Sequence, residues 1–544
     1  MLYDTRASVY EALSCSNYAL YDALKTIGLA LTQWQGYYCS ARLLASQGQR
    51  DAALRMCAMA LGNLGSDPQD DSRRRELTEL RQRLEAVPPP PCHISSLPAE
   101  LLVTIFTLSN NPAVIAHVCQ EWRAVARSQP ALWRNLVLTT AAPGSGGVLQ
   151  KINEWHRWSS GWITELHIHK SALFPSGDGK ASDRSGIYDD VVAALRRLDL
   201  TKLKECHTVD MDTGLFFPAL GGNDDGLRNL ECLSSCFEVS SFLMPSFGCS
   251  RLSWQSLRSV SLVGVQCNWA ELSTSMCCLT SFKYQIYTNF GGRFIHFHRF
   301  LEANAGTLEK LVVEVMIPIA GSGASRLDNT SGSEPVLTLA RLRHLELKGV
   351  APFHISKGNF ILPSLRILRI LWLTDAALVL TILLEDGGTS FAELVELTTQ
   401  GHFVGTQILS AVLLRAPKLK ILRCSDFDSD TVTKSLSKPC TVLLRDPSTQ
   451  LVIPVQLPVL CPALSVLDLS WSPQLEIDHL VPIIKERVAL AASEEGRYQL
   501  PGPDGGDRRV SCIQMLTVDG CPQIEEDKLP WFQGNVPEFS CRYP

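Results

Sequence analysis

ISSLPAELLVTIFTLSNNPAVIAHVCQEWRAVARSQPALW, residues Ile94 to Trp133, is the stretch on which the reading of this chain turns. It is apolar in two helical phases. Pro98 fits the first turn of a helix, where its missing N–H has no partner to lose. Glu100 follows in the same turn and suits the positive end of the helix dipole. Leu101, Leu102, Ile105 and Phe106 recur at helical spacing and predict one apolar face. Asn110-Asn111-Pro112 breaks that helix. Val114, Ile115, Val118, Cys119, Trp122 and Val125 predict a second apolar face, Pro130 ends it, and Leu132-Trp133 add an apolar plug. About 40 residues cannot bury that much apolar surface alone. This helical hairpin must dock on the rest of the chain or on another protein.

Toward the N-terminus, a shift of 34 residues aligns Tyr3 with Tyr37, Ala7 with Ala41, Tyr10 with Leu44, Ala19 with Ala53, Ala23 with Cys57 and Thr26 with Ala60. The alanines let two antiparallel helices approach, and the bulky positions fill the gap. Gly48 marks the turn between the helices of the second copy, Gln35 to Pro68. The first copy starts almost at Met1, which leaves room for a further repeat upstream. Asp71 to Val87 predicts a charged helix with Leu77, Leu80 and Leu84 on one face, placed to cap the stack. Residues 1–87 are similar in period and order to tetratricopeptide repeats, which implies a groove for a peptide partner. A plain helical bundle is the alternative. Pro88 to Pro91 then form a stiff spacer, and residues 88–93 are the clearest domain boundary.

Beyond Trp133 the pattern becomes short apolar alternations. They include Leu166-His167-Ile168, Leu198-Asp199-Leu200, Leu230 to Leu233, Val260-Ser261-Leu262 and Leu311-Val312-Val313. The series continues through Leu345-Glu346-Leu347, Leu368-Arg369-Ile370, Leu394 to Leu397, Ile421-Leu422, Leu467-Asp468-Leu469 and Leu516-Thr517-Val518. Most follow another leucine, such as Leu227, Leu257, Leu308, Leu342 or Leu365, in an L-x-x-L-x-L grammar. That predicts one short strand per repeat with alternate residues buried. Thr406 to Leu414 and His479 to Val488 read as helices between strands. Segments 143–147, 174–186, 321–334 and 494–507 read as inserted loops. Cys461-Pro462-x-Leu464-x-x-Leu467-Asp468-Leu469 and Leu516-x-Val518-x-Gly520-Cys521-Pro522-x-Ile524 resemble the cysteine-bearing leucine-rich repeats of F-box proteins, with Trp531-Phe532 as a cap. Residues 137–544 thus read as an irregular leucine-rich-repeat solenoid; an α/β domain with a parallel sheet is the runner-up.

The totals narrow the function. The chain has 544 residues, 45% hydrophobic and 19% charged, with net charge −5, which argues for folded domains and against a strongly basic nucleic-acid surface. Eighteen cysteines are scattered without a Cys-x-x-Cys pair and, with no secretory signal, read as reduced. The most apolar run, Leu371 to Leu384, is 14 residues long and contains Asp375, too short and polar to span a bilayer. The Asn329-Thr330-Ser331 sequon then reads as a chance match. Gly177 to Ala181 lacks the first glycine and the Ser/Thr of a phosphate loop. No G-x-S-x-G or H-E-x-x-H occurs. His167 and His169 share a strand face, as do His296 and His298, but two imidazoles are not a zinc site without further ligands. Cys277-Cys278 reads as packing, and so does Cys119. No catalytic, metal or cofactor constellation emerges, so the expectation is a non-enzyme without cofactors.

Leu97-Pro98-x-Glu100-Leu101-Leu102-x-x-Ile105-Phe106, Val118-Cys119-x-x-Trp122 and Leu132-Trp133 together resemble an F-box, over residues 94–136. The order of segments resembles fungal F-box proteins that join tetratricopeptide repeats, an F-box and leucine-rich repeats. The resemblance implies the substrate receptor of an SCF ubiquitin ligase, which holds a Skp-type adaptor and, through it, a cullin, and acts by proximity. It implies an adaptor contact row of Leu97, Pro98, Leu101, Leu102, Ile105 and Phe106, with Val118, Cys119, Trp122 and Trp133 partly core and partly contact. The substrate would lie on the leucine-rich repeats, in the cytoplasm, the nucleus or both. The alternative is a non-degradative scaffold on the same repeats. With no spacer after Trp133, the second helix and Trp133 should pack near Trp155 to Trp162 while the first helix stays exposed.

Overall fold

The structure, a computed structural model, describes residues 2–13, 15–64, 70–86, 97–109, 111–138, 146–169, 190–211, 216–217, 220, 227–237, 246–247, 254–286, 296–315, 336–349, 360–373, 376–385, 391–400, 406–425, 433, 436–445, 452–500 and 507–542. The proline spacer at 88–93 and the loops expected at 174–186 and 321–334 lie outside the described residues. The chain divides into two compact units, 1–102 and 103–544. No helix is long and apolar enough to cross a membrane among the described residues.

The first unit opens with α1 (Leu2–Ala12), α2 (Ser16–Leu29), α3 (Trp34–Ser46), α4 (Arg50–Asn63) and α5 (Asp71–Ala86), each packed on the next. Of the positions 34 apart, Ala7 and Ala41, and Ala19 and Ala53, are all fully enclosed, whereas Tyr3 is exposed and Tyr37 buried. Gly48 turns from α3 to α4 at φ +75°, a conformation that costs little without a Cβ. Leu77 of α5 joins the cluster of Tyr37, Ala41, Cys57 and Ala60, with Leu80 and Leu84 beside it, so the charged helix closes the stack on its apolar stripe. Asp22, enclosed on α2, takes both nitrogens of the Arg6 fork at 2.6 and 2.7 Å, and this pairing holds its carboxyl below the ordinary range.

Among the described residues of the second unit, fourteen strands form one sheet. They are β1 (Asn135–Leu138), β2 (Glu165–His169), β3 (Glu205–Val209), β4 (Cys232–Cys236), β5 (Ser259–Val263), β6 (Ser281–Ile286) and β7 (Lys310–Val315). β8 (His344–Gly349), β9 (Ile367–Leu371), β10 (Glu396–Gln400), β11 (Ile421–Cys424), β12 (Val466–Asp468), β13 (Met515–Thr517) and β14 (Glu538–Ser540) complete it. Each strand pairs in parallel with the next one in the chain, without reversal. A doubly wound sheet reverses order at a switch point; a monotone order is that of a solenoid.

Register carries the core. Leu136, Leu166, Cys206, Leu233, Val260, Phe282, Leu311, Leu345, Leu368, Leu397, Leu422, Leu467 and Leu516 stand opposite one another in turn, and none is more than 3% exposed. Connecting helices cover this inward face. Trp269, at the start of helix Trp269–Ser275, meets Phe282 at 6.1 Å, and Phe300 of helix Phe297–Ala303 meets it at 4.7 Å. Asn304 fastens the same turns: its amide donates to Met276 O and Phe300 O and accepts from Leu279 N.

The strand assignments from sequence need three corrections. Leu198-Asp199-Leu200 is not a sheet strand; Leu200 starts a 3-10 turn, and the strand is β3, whose inward residues are Cys206 and Thr208. β6 was missed because Phe282 and Tyr284 replace the leucines. β1 and β14 were missed as well; each is four residues or fewer. With these restored, neighbouring inward residues are separated by 22 positions between Val260 and Phe282 and by 49 between Leu467 and Leu516. The insertion of an antiparallel hairpin, Cys440–Arg445 with Val452–Leu457, accounts for the gap before β12. The helix expected at Thr406 to Leu414 is present, and that at His479 to Val488 extends to Ile477–Ala492.

Register makes a measurable contrast between adjacent residues. Phe282→Ala should lower stability by about 3–5 kcal/mol in denaturant unfolding, whereas Lys283→Ala, on the outward face, should stay within about 0.5 kcal/mol.

Candidate functional site

The stretch that follows Pro98 folds as three short helices rather than two: α6 (Ala99–Leu108), α7 (Pro112–Ala116) and α8 (Gln120–Arg127). Two local caps explain the extra break. Asn111 Oδ1 accepts from Val114 N at 3.4 Å, with Pro112 at the first helical position. Cys119 Sγ accepts from Trp122 N at 3.4 Å and starts α8. Cys119 is thus a half-buried cap as well as a packing residue. Arg123 Nε donates to Ala116 O at 2.8 Å and ties α8 back to α7.

The helices then lock onto the sheet. After α8, a 3-10 turn (Pro130–Trp133) drives Trp133 into full burial, where its Nε1 donates to Ala126 O at 2.8 Å. Its ring meets Trp155 edge-on at 4.9 Å and Trp158 at 4.4 Å, both on helix Gly146–Trp158. Trp155 Nε1 donates to Asn135 O at 2.8 Å, in β1. Arg127 lies over Trp158 at 4.9 Å, and the Lys151 ammonium lies over Trp155 at 5.1 Å and donates to Val137 O. Burial pushes Lys151 below the ordinary lysine range. The strand begins two residues after Trp133, so the helices and the first coil share one aromatic core.

Of the ten residues singled out from sequence, Pro98, Leu101, Ile105 and Val118 are exposed, and Leu97, Cys119 and Trp122 are half-buried. Leu102 and Phe106, expected in the contact row, are enclosed by the chain itself, and Trp133, expected to be partly core and partly contact, is wholly core. Phe106 packs on Trp122 at 5.0 Å. The expectation that the first helix stays exposed therefore holds for one stripe of it. Sequence reasoning missed two surface residues, Leu108, which is 82% exposed, and Val114. Leu101, Ile105 and Leu108 follow i, i+4, i+7 spacing on α6, a stripe distinct from the one Leu102 and Phe106 turn inward.

A family model described as F-box-like matches residues 94–139. The chain carries an F-box-like domain. Among curated proteins, none matches the chain. In the F-box-like domain, the exposed apolar stripe is the surface available to a partner, and Trp133 is the anchor that holds the domain to β1.

A second surface lies at the other end of the sheet. Four residues after the first inward residue of their strands, Asp210, Gly264, Gly349, Trp372, Trp471 and Gly520 have φ between +52° and +86°. This left-handed turn aims N–H groups at the next coil: Trp372 N donates to Gln400 O, Trp471 N to Asp519 O and Gly520 N to Arg542 O. Glycine suits the position, whereas a tryptophan there is strained by about 1–3 kcal/mol. Both tryptophans are nevertheless exposed, at 57 and 62%, and both line a cleft of ≈ 920 Å³. Gly520 lets the Trp471 ring approach; a Cβ there would fall 2.7 Å from Cε3. Arg423, paired with Glu396 at 3.1 Å, and Asp468, which accepts from Ser470 N and Oγ, give the floor fixed charges.

These two kinds of tryptophan should differ in their response to truncation. Trp133→Ala should cost about 3–5 kcal/mol in denaturant unfolding. Trp471→Gly, which relieves backbone strain as it removes an exposed ring, should change stability by no more than about 1 kcal/mol.

Proposed function

We propose that the protein is the substrate-recognition subunit of an SCF-type ubiquitin ligase. The observation that carries this reading is the F-box-like match at residues 94–139, on helices that leave Leu101, Ile105, Leu108, Val114 and Val118 exposed. An apolar stripe on a short helix is a surface that a groove in a Skp-type adaptor would cover. The adaptor would connect the chain to a cullin and its ubiquitin-loaded enzyme. The receptor itself makes no bond; it raises the effective concentration of a substrate lysine near the thioester.

In this reading the sheet coils are leucine-rich repeats, and their outward face receives the substrate. The cleft with Trp372 and Trp471 would hold it, since two exposed aromatic rings beside fixed charges make strong anchors for a peptide segment. The helical pairs of residues 1–87 are tetratricopeptide-like and take a further peptide partner. The protein works in the cytoplasm, the nucleus or both.

The test is co-purification of the full chain with a Skp-type adaptor and a cullin. Wild type should bring down both. Ile105→Asp with Leu108→Asp should weaken adaptor binding by at least about 30-fold, the effect of losing a contact worth about 2 kcal/mol. A wild-type chain that retains neither subunit would sink the ligase reading. Retention of both, with no bound protein gaining ubiquitin, would favour a non-degradative scaffold on the same repeats.

A further inference from the structure

On a parallel sheet, equivalent outward positions of adjacent strands lie side by side, about 4.8 Å apart. β2 and β3 carry the same outward pair, Glu165-x-His167 and Glu205-x-His207, and their register sets Glu165 beside Glu205 and His167 beside His207. The two imidazoles stack with centroids 4.3 Å apart and planes 7° from parallel. His167 Nε2 lies 2.5 Å from Glu165 Oε1, and His207 Nε2 lies 3.6 Å from Glu205 Oε2. One ligand atom each from Glu165, His167 and His207 falls within 4.8 Å of the other two. These residues supply the further ligands that a single histidine pair lacks.

We propose that Glu165, His167 and His207 form a zinc site on the outward face of β2 and β3, with the fourth coordination position open to solvent. Two imidazoles and one carboxylate are a donor set zinc accepts, with water in the remaining place. Magnesium and calcium call for oxygen donors instead. Tetrahedral zinc at about 2.0–2.1 Å from each donor separates the donor atoms by about 3.3 Å. The side chains reach that spacing by turning about their χ angles, which splays the stacked rings until both lone pairs converge. All three residues are half-buried, so the ion enters from solvent and the strands themselves need not move. The bound ion clips the second coil to the third, close to the Trp133 core, and presents an open coordination position to any partner laid across the sheet. The site does not depend on the ligase reading.

The experiment is zinc titration of the full chain, purified without a histidine tag, followed by calorimetry, with cobalt substitution read by absorption. Wild type should bind one zinc at this site. Loss of groups that merely orient a metal ligand weakens binding about 10–100-fold, so His167→Gln and His207→Gln should each weaken zinc binding by at least about tenfold. Glu205→Gln should stay near wild type. Cobalt should give visible ligand-field bands without the near-ultraviolet thiolate charge-transfer band. Failure of wild type to bind zinc, or wild-type affinity in both histidine variants, would overturn the proposal. So would a thiolate band, which would assign the metal to cysteines such as Cys232, the register partner of Glu205.

Discussion

A strand inside a parallel ladder cannot slip by one residue without turning its buried side chains to water. Everything in the larger unit follows from that constraint. No coil can bury its inward row alone, so each borrows apolar cover from the coil before and after it. Because the order is monotone, the outward face becomes a grid in which position along the strand and position along the chain are independent coordinates. The same grid that hides Leu368 between Leu345 and Leu397 sets Arg369 beside Glu346 at 3.7 Å, and the Arg369 side chain reaches diagonally to Glu396, the register partner of Ile367, at 2.9 Å. Side chains that meet on this face therefore come from strands tens of residues apart in sequence.

That separation explains what could be read in advance. The coils rich in leucine were legible, because Leu345, Leu347, Leu368 and Ile370 alternate on a period that needs no partner to interpret. The N-terminal repeat was legible for a similar reason: alanines 34 residues apart had to be small to let helices touch. β3 and β6 were hidden because Cys206 and Thr208 are small, and Phe282 and Tyr284 are aromatic, where leucine was expected. The inward rows accept any side chain that fills the local volume, so a single-residue rule finds only the commonest solution.

The F-box-like domain shows the same limit at shorter range. Its apolar spacing located the helices, but spacing cannot say which stripe of an amphipathic helix faces its own core. Leu102 and Phe106 turned inward, while Leu101, Ile105 and Leu108 remained outside. Cys119 and Asn111 split the second apolar run through caps that composition does not reveal. Trp133 closes the stretch as an apolar plug, seated against Trp155 and Trp158 at 4.9 and 4.4 Å. The cleft at Trp372 and Trp471 was out of reach altogether, because its origin is a left-handed turn that, among the described residues, six coils share and tryptophan fills in two. Trp372 and Trp471 hold a backbone conformation that glycine would relieve.

The F-box-like helices offer one exposed apolar stripe while Trp133 keeps the domain fixed to the first coil. Hydrogen exchange of the full chain, with and without a Skp-type adaptor, tests both halves at once. Exchange should slow across residues 103–118 on adding adaptor and stay unchanged across 133–138, where Trp133, Leu136 and Leu138 already lie buried. Unchanged exchange across 103–118, or faster exchange in β1 as the helices leave the sheet, would contradict this reading.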